Sequence, residues 1–225
     1  MNSFIKPLIL FTVLISPLAK ASVIVDGTRY IFNGEKTEAA LAVENKDKNV
    51  NLVQSWVEPA DKDIIPDAFV ITPPLFRLAA GERNTLRIIR VSQRLPTDRE
   101  SLYWLNIKGI PASTNGAQES SVQLAVNTRI KLIYRPKGLL GQSSDAFKDK
   151  ITWRIEGNTL IAKNPSPYYI NFYSIKIGSV KISPMNYIAP FSERSFIIPG
   201  GEKSNKISWA IINDYGVAGA ESHTK

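Results

Sequence analysis

Two cationic residues lie inside an apolar stretch near the middle of the chain. Arg129 and Lys131 share one residue parity within segment 121–136, and Ile130 and Leu132 flank the lysine. A lysine among apolar neighbours often extends its ammonium group to solvent along its alkyl stem. The alternative is a lysine held at a cleft, where its charge meets an anion. The residues alone leave both interpretations open.

Acidic residues and one histidine are the other candidates for chemistry. Asp61, Asp63 and Asp67 lack the turn glycine and closing glutamate of a calcium-binding EF-hand loop, so we predict a polar hairpin loop and no metal site. The chain has no cysteine, and its single histidine, His223, is the third residue from the end. Thiolate chemistry is therefore excluded, and histidine-dependent catalysis is not expected. Carboxylate-based hydrolysis stays open, because the separation of two carboxylates is a three-dimensional property.

The chain is basic, with 28 lysines and arginines against 20 acidic residues and a formal net charge of +8. These cations are scattered among the acids, and no stripe alternates aromatic residues with arginines, as a stacking surface for nucleic acid would. We therefore predict no nucleic-acid partner.

The first 21 residues have the pattern of a secretory signal. Lys6 precedes an apolar run over residues 7–19, and alanines at positions 19 and 21 are the small residues that a signal peptidase requires. The alternative is a membrane anchor, but the run is short for a bilayer and contains a proline. Cleavage after Ala21 would export the protein, and the lack of cysteine favours a bacterial periplasm.

Short apolar runs with a period of two residues recur at 122–126, 151–155 and 207–211. This period predicts half-buried β-strands, and glycine-containing turn signals separate the runs. No long stretch has a helical period. The sequence therefore predicts an all-β protein.

The length of the exported chain fits two domains. An immunoglobulin-like β-sandwich needs about 100 residues. The stretch 137–150 lacks the period of two, so we place the boundary near residue 138. This gives an N-terminal domain over residues 22–138 and a C-terminal domain over residues 139–225.

Six ordered motifs connect the sequence to a known family. They are TRYIF at 28–32, ITPPLFRL at 71–78, LPTDRESLYWLN at 95–106, RIKLIYRP at 129–136, NPSPYY at 164–169 and INDYG at 212–216. With these motifs the chain resembles the periplasmic pilus-assembly chaperones of the PapD type over essentially its whole length after residue 21. The resemblance implies two immunoglobulin-like sandwiches in an L-shaped arrangement with an interdomain cleft.

The resemblance also assigns a role to two cations. In this family an arginine of the first strand and a lysine of the last strand of the first domain meet in the cleft. There they bind the C-terminal carboxylate of a pilus subunit. Arg29 and Lys131 hold those motif positions, which favours the cleft interpretation of Lys131.

Alternating apolar residues of the same last strand complete the family's client subunits. A client whose own sandwich lacks a strand exposes an apolar groove, and a donated strand fills it. Val122, Leu124 and Val126 match the donor positions. Without the resemblance, their periodicity favours side chains that face the domain's own core.

Further residues match structural features of the family. Glu100, Arg135 and Asp214 match a charged triad that connects the two domains, and the family has a cis peptide bond at the position of Pro73. About ten residues, 111–120, separate the last two strand candidates, which resembles the short-loop subfamily. The tail after Gly216 matches the family poorly and leaves open how the second domain closes.

The resemblance implies a chaperone that binds, folds and stabilises pilus subunits by strand donation and delivers them to an outer-membrane usher. It implies no enzymatic activity, no cofactor and no small-molecule substrate, and it leaves self-association of the free chaperone open. The alternative is an exported adhesin or carbohydrate-binding module, which needs exposed aromatic residues. We expect Trp56, Trp104, Trp153 and Trp209 in cores instead, because all four lie in strand patterns.

Overall fold

The computed structural model describes residues 23–112, 124–182, 187–202 and 204–224. The predicted signal segment, the donor candidate Val122 and most of the loop 111–120 lie outside these residues. The described chain is all-β with two sandwich domains, as predicted. Within the same ranges, no helix has the length and apolar character needed to cross a membrane.

The described part of the first domain contains two β-sheets. Its strands are β1 (Val23–Val25), β2 (Arg29–Asn33), β3 (Glu38–Asn45), β4 (Asn51–Pro59), β5 (Phe69–Thr72), β6 (Leu75–Leu78), β7 (Arg83–Arg90), β8 (Ser101–Pro111) and β9 (Val126–Arg135). One sheet has the order β1-β3-β7-β5, and the other has the order β2-β9-β8-β4-β6. Neighbouring strands are antiparallel except β2, which runs parallel to β9.

The core of this domain lies between the two sheets. Buried residues alternate with exposed ones along β3 and β7, as expected for strands with one face on a core. Aromatic rings from both sheets meet at the centre. The ring of Phe69 contacts those of Phe32 and Tyr103 edge-on, with centroid distances of 5.0 Å in each pair.

The chain changes sheets close to its first described residues. β1 pairs with β3, whereas β2 lies beside β9 in the other sheet. The turn between them contains Gly27 with φ of 81°, a conformation that glycine adopts without steric cost. This switch brings Arg29 into register with Lys131. Because β2 pairs only with residues 131–135 of β9, no described strand pairs with residues 126–130 along that edge.

Two short 3-10 helices, Lys137–Leu139 and Ser144–Lys150, connect the domains where the period of two stops. The strands of the second domain are β10 (Thr152–Glu156), β11 (Thr159–Lys163), β12 (Ile170–Ile177), β13 (Val180–Ile182), β14 (Tyr187–Ile188), β15 (Glu193–Ile197), β16 (Ile207–Ile211) and β17 (Ser222–His223). A third 3-10 helix is formed by Pro199–Gly201. The sheets have the orders β10-β11-β15 and β13-β12-β16-β17, and β14 pairs with β12.

The tryptophans divide between core and surface. Trp209 is buried in the second core, and Trp153 packs beside it with a ring-centroid distance of 5.1 Å. The prediction of core positions is wrong for Trp56 and Trp104, which are only half-buried. Both have the residue parity opposite to the core-facing side chains of β4 and β8. A period of two does not say which face of a strand is covered.

The tail after Gly216 completes the second domain. Ile212 and Ala218 form an isolated bridge, and β17 pairs with β16 through Ser208 and Trp209. The question left open by the sequence is therefore answered by a short strand at the edge of the sheet.

A small apolar cluster joins the two domains. Leu102 and Ile133 of the first domain pack with Tyr169 of the second. Beside it, the backbone N–H of Glu100 donates to the carbonyl oxygen of Pro167 at 2.9 Å. These contacts bring β9 and β12 to the same region, where the candidate site lies.

Candidate functional site

The two predicted anchor cations lie side by side at the junction of the domains. Arg29 on β2 is in register with Lys131 on β9, so their side chains leave the same face of the sheet. The ammonium group of Lys131 donates a hydrogen bond to Oδ1 of Asn171, a buried residue of β12. Burial and, secondarily, the neighbouring Arg29 lower the pKa of Lys131 to about 8.

Arg29 has unused hydrogen-bonding capacity. Its Nη1 donates to the carbonyl oxygen of Ile212 at 3.3 Å. Within the described residues, its buried Nε atom has no hydrogen-bond partner. Burial lowers the pKa of Arg29, and the negative charges of Asp214 and Glu100 oppose that effect.

The pair is therefore suited to bind an anion. Two cations close together and partly out of water repel each other, and a carboxylate between them would remove the repulsion. Charge-assisted hydrogen bonds from guanidinium and ammonium groups to a carboxylate are among the strongest in proteins. The remaining ammonium hydrogens of Lys131 and the terminal N–H groups of Arg29 that do not donate to Ile212 are the available donors.

A second charged group, the interdomain triad of Glu100, Arg135 and Asp214, lies nearby. Arg135 Nε donates to Glu100 Oε1 at 2.7 Å, and its two terminal nitrogens donate to the carboxylate of Asp214 at 2.6 and 2.8 Å. The other oxygen of Glu100 accepts the backbone N–H of Tyr169 at 2.8 Å. The triad thus joins β9, the start of β8 and the second domain in one network.

Burial and the charges within the triad together set the pKa values of Glu100 and Arg135. Burial raises the pKa of Glu100 to about 7, although Arg135 and the N–H of Tyr169 act in the opposite direction. Burial also acts to lower the pKa of Arg135, but the carboxylates of Asp214 and Glu100 outweigh it and raise that pKa. Because its charged groups are bonded to one another and to the N–H of Tyr169, the triad connects the two domains.

The described donor candidates do not face the domain's own core. The side chain of Leu124 is 72% exposed and that of Val126 is 46% exposed. They share residue parity with Ile130 and Leu132, which are buried in the first core. Leu124 precedes β9 and Val126 begins it, so the segment that leads into the strand continues the strand's core-facing pattern beyond the end of the sandwich, where apolar side chains meet solvent.

The remaining sequence candidates fall outside the site. The Thr72–Pro73 peptide bond is cis, and Ser55 Oγ donates to the carbonyl oxygen of Pro73 at 2.9 Å. Asp61, Asp63 and Asp67 lie in the loop between β4 and β5. Across the described residues, no group of three or more histidine, cysteine or acidic side chains is arranged to hold a metal ion.

Sequence reasoning missed two parts of the site. Asn171 provides the partner of Lys131, and the carbonyl oxygen of Ile212 provides that of Arg29. A polar residue between Ile170 and Phe172 in a buried strand was the available signal for Asn171. No sequence signal marked the carbonyl group of Ile212, because every residue has such a group.

Two family models match the chain. The model described as the PapD N-terminal domain of pili and flagellar-assembly chaperones matches residues 22–140. The model of the C-terminal domain of the pili assembly chaperone PapD matches residues 146–223. The chain belongs to this family of pilus-assembly chaperones.

Individual chaperones are similar over most of their length. The chaperone protein PsaB of Yersinia pestis is 34% identical over 95% of this chain and 91% of its own length. The chaperone protein FimC of Escherichia coli K12 is 37% identical over 93% of this chain and 86% of its own.

Among solved structures, a chain of the Salmonella enterica complex of SafA pilin with the SafB chaperone aligns with a TM-score of 0.82 and 35% identity. That match covers 90% of this chain and 95% of the other. These similarities confirm the family recognised from the six motifs and favour the chaperone over the adhesin alternative.

Proposed function

We propose that this chaperone captures pilus subunits in the periplasm by their C-terminal carboxylate, donates β9 to them and delivers them to an outer-membrane usher. Its signal segment would be removed after Ala21. It would act by binding alone, without an enzymatic step or a cofactor. The observation that carries the proposal is the Arg29–Lys131 pair next to the unpaired edge of β9.

The direction of the client strand follows from this geometry. Arg29 and the rest of β2 occupy the edge of β9 beyond residue 131. A client strand that ends at the two cations must therefore lie along residues 126–130. Its C-terminus then points the same way as that of β9, so the two strands pair in parallel and the client continues the line of β2.

The exposed apolar side chains of Leu124 and Val126 would also let this segment complete the β-sandwich of a client. An incomplete sandwich exposes a groove and an unpaired edge, which are both aggregation hazards. Leu124 and Val126 would fill pockets of the client, while the backbone of β9 pairs with its edge. Val122 would occupy a third pocket. Release would follow by exchange with the N-terminal segment of the next subunit at the usher.

Co-expression with a pilin from the same organism tests the proposal. Tagged wild type, Lys131→Ala and the control Lys62→Ala would be purified from periplasm, and bound pilin quantified by mass spectrometry. Lys62 is an exposed lysine of the β4–β5 loop. We expect stoichiometric pilin with wild type and the control, and almost none with Lys131→Ala. Equal pilin with all three proteins would refute the carboxylate anchor.

A further inference from the structure

The partners of the two anchor cations form one unit of the second domain. Asn171 on β12 accepts the hydrogen bond of the Lys131 ammonium, and the carbonyl oxygen of Ile212 accepts that of Arg29. The backbone N–H of Ile212 donates in turn to the carbonyl oxygen of Asn171 at 2.7 Å. The cations belong to the first domain, and their acceptors are bonded to each other on the second. The direction of both cations is therefore set across the domain junction.

The side chain of Asn171 is held in one orientation. It is 2% exposed, and Asn171 lies in register with Tyr187 of β14. Its Nδ2 donates to the carbonyl oxygen of Tyr169 at 3.5 Å. An ammonium group only donates hydrogen bonds, so the amide oxygen must face Lys131. Asn171 thus offers the lysine a fixed acceptor.

The surroundings of the ammonium hold it without cancelling its charge. Its Nζ lies 5.4 Å from the ring centroid of Tyr187 and 5.9 Å from that of Trp104. The charged group that faces it from β2 is Arg29, which has the same sign. Asn171 is neutral, so its hydrogen bond orients the ammonium and leaves the positive charge for an external anion. An aspartate at this place would form an ion pair with the lysine instead.

We propose that Asn171 is a positioning residue for client capture, which holds the Lys131 ammonium in the direction from which it binds the client's carboxylate. This inference rests on the proposed function and adds a residue of the second domain to the anchor. A lysine has a long flexible stem, and ordering such a side chain on binding lowers affinity. Asn171 orders it beforehand. The second domain would thus contribute to capture through the position of a first-domain side chain.

One peptide in two forms tests this inference on the full-length protein. The peptide carries the last residues of a pilin that the chaperone captures, either as the free acid or amidated. The ratio of the two affinities is the carboxylate preference. A role of Asn171 in packing alone would leave this ratio unchanged, because it would affect both forms equally.

Two substitutions of Asn171 should lower the carboxylate preference. Asn171→Asp should lower it by at least about tenfold, because its own carboxylate neutralises one of the two anchor cations. Asn171→Ala should lower it about two- to tenfold, the cost of ordering one long side chain. Asn205→Asp adds the same charge at an exposed asparagine of the second domain, and it should keep the wild-type preference.

The titration of Lys131 gives a second readout. It can be followed by NMR of carbon-labelled lysine, with Lys131→Met to assign the signal. Burial and Arg29 lower the pKa of Lys131 to about 8. Asn171→Asp should raise this pKa, and Asn171→Ala should lower it further, because a hydrogen bond to the charged form is lost. Tyr187 on β14 and Arg129 on β9 are the other titratable groups near the ammonium, and they are the same in every variant.

The outcomes separate the inference from the proposed function. A wild-type carboxylate preference in both Asn171 variants, or an unshifted titration of Lys131 in both, would overturn the inference alone. Equal affinities of wild type for the two peptide forms would overturn the proposed function and the inference together. Thermal unfolding identifies a variant that fails to fold. Aspartate has nearly the size and shape of asparagine, so the test does not depend on Asn171→Ala.

Discussion

Replacing Lys131 with methionine should remove client capture and yet leave the free chaperone at least as stable as wild type. The charged lysine is unfavourable in the folded protein, since its pKa falls from 10.5 to about 8 through burial and the nearby Arg29. A shift of that size corresponds to about 3 kcal/mol. Methionine would also leave Oδ1 of Asn171 without its donor, at a cost of about 1 to 3 kcal/mol. The variant should therefore gain between about 0 and 2 kcal/mol at pH 7.

The same reasoning fixes the sign of a pH dependence. Between pH 8 and 10.5 the unfolded chain holds the Lys131 proton that the folded chain has lost. The stability of the fold therefore rises with pH across that window. Above pH 10.5 the lysine is neutral in both states, and its burial penalty is gone. The stability advantage of Lys131→Met over wild type should therefore fall as pH rises from 8 to 10.5 and become a deficit of about 1 to 3 kcal/mol, because only the lost hydrogen bond to Asn171 then remains.

Urea unfolding at pH 7 and at pH 10, followed by tryptophan fluorescence, measures both effects. Capture of a co-expressed pilin measures the loss of function in the same preparations. A Lys131→Met protein that is more than about 2 kcal/mol less stable than wild type at pH 7 would refute the reasoning. That result would mean that the lysine stabilises the domain junction and is not held there for binding.

Substitutions at the triad, at Gly216 and at two leucines test the fold and the binding strand separately. Arg135→Met should cost about 3 to 5 kcal/mol in urea unfolding, because it leaves the triad's carboxylates without their cation; a loss below 1 kcal/mol would contradict the network. Gly216→Ala should destabilise, since its φ is 80° and an added Cβ would lie 2.5 Å from Thr28 Oγ1; Thr28→Ala in the same chain should restore part of the lost melting temperature. Leu124→Glu should change stability by less than about 0.5 kcal/mol while reducing pilin capture, whereas Leu132→Ala should cost about 2 to 5 kcal/mol. Equal unfolding losses for the two leucine variants would contradict the donor assignment.

The strands were predictable because their faces differ in polarity. The runs at 151–155 and 207–211 correspond to β10 and β16. Which face of each strand is buried was less predictable from the sequence. Trp104 lies in a strand pattern like that of Trp209, yet only Trp209 has a core on its side. Which face is covered depends on the packing of sheets and domains, and a single strand's sequence does not contain that information.

The candidate site was predictable only in part, for a similar reason. Periodicity marked Lys131 as unusual, but the pairing with Arg29 came from the family motifs, since the two residues are far apart in sequence. Their partners on the second domain, Asn171 and the carbonyl of Ile212, depend on how the domains meet. No local pattern in either segment encodes that contact.

The claim that the paired cations bind a chain end is tested most directly by comparing two forms of one peptide. The peptide would carry the last residues of a pilin that the chaperone captures on co-expression, once with a free C-terminal carboxylate and once amidated. Wild type should bind the free acid at least about 30-fold more tightly, and Lys131→Met should bind both forms equally weakly. Equal affinities of the two peptides for wild type would contradict the account.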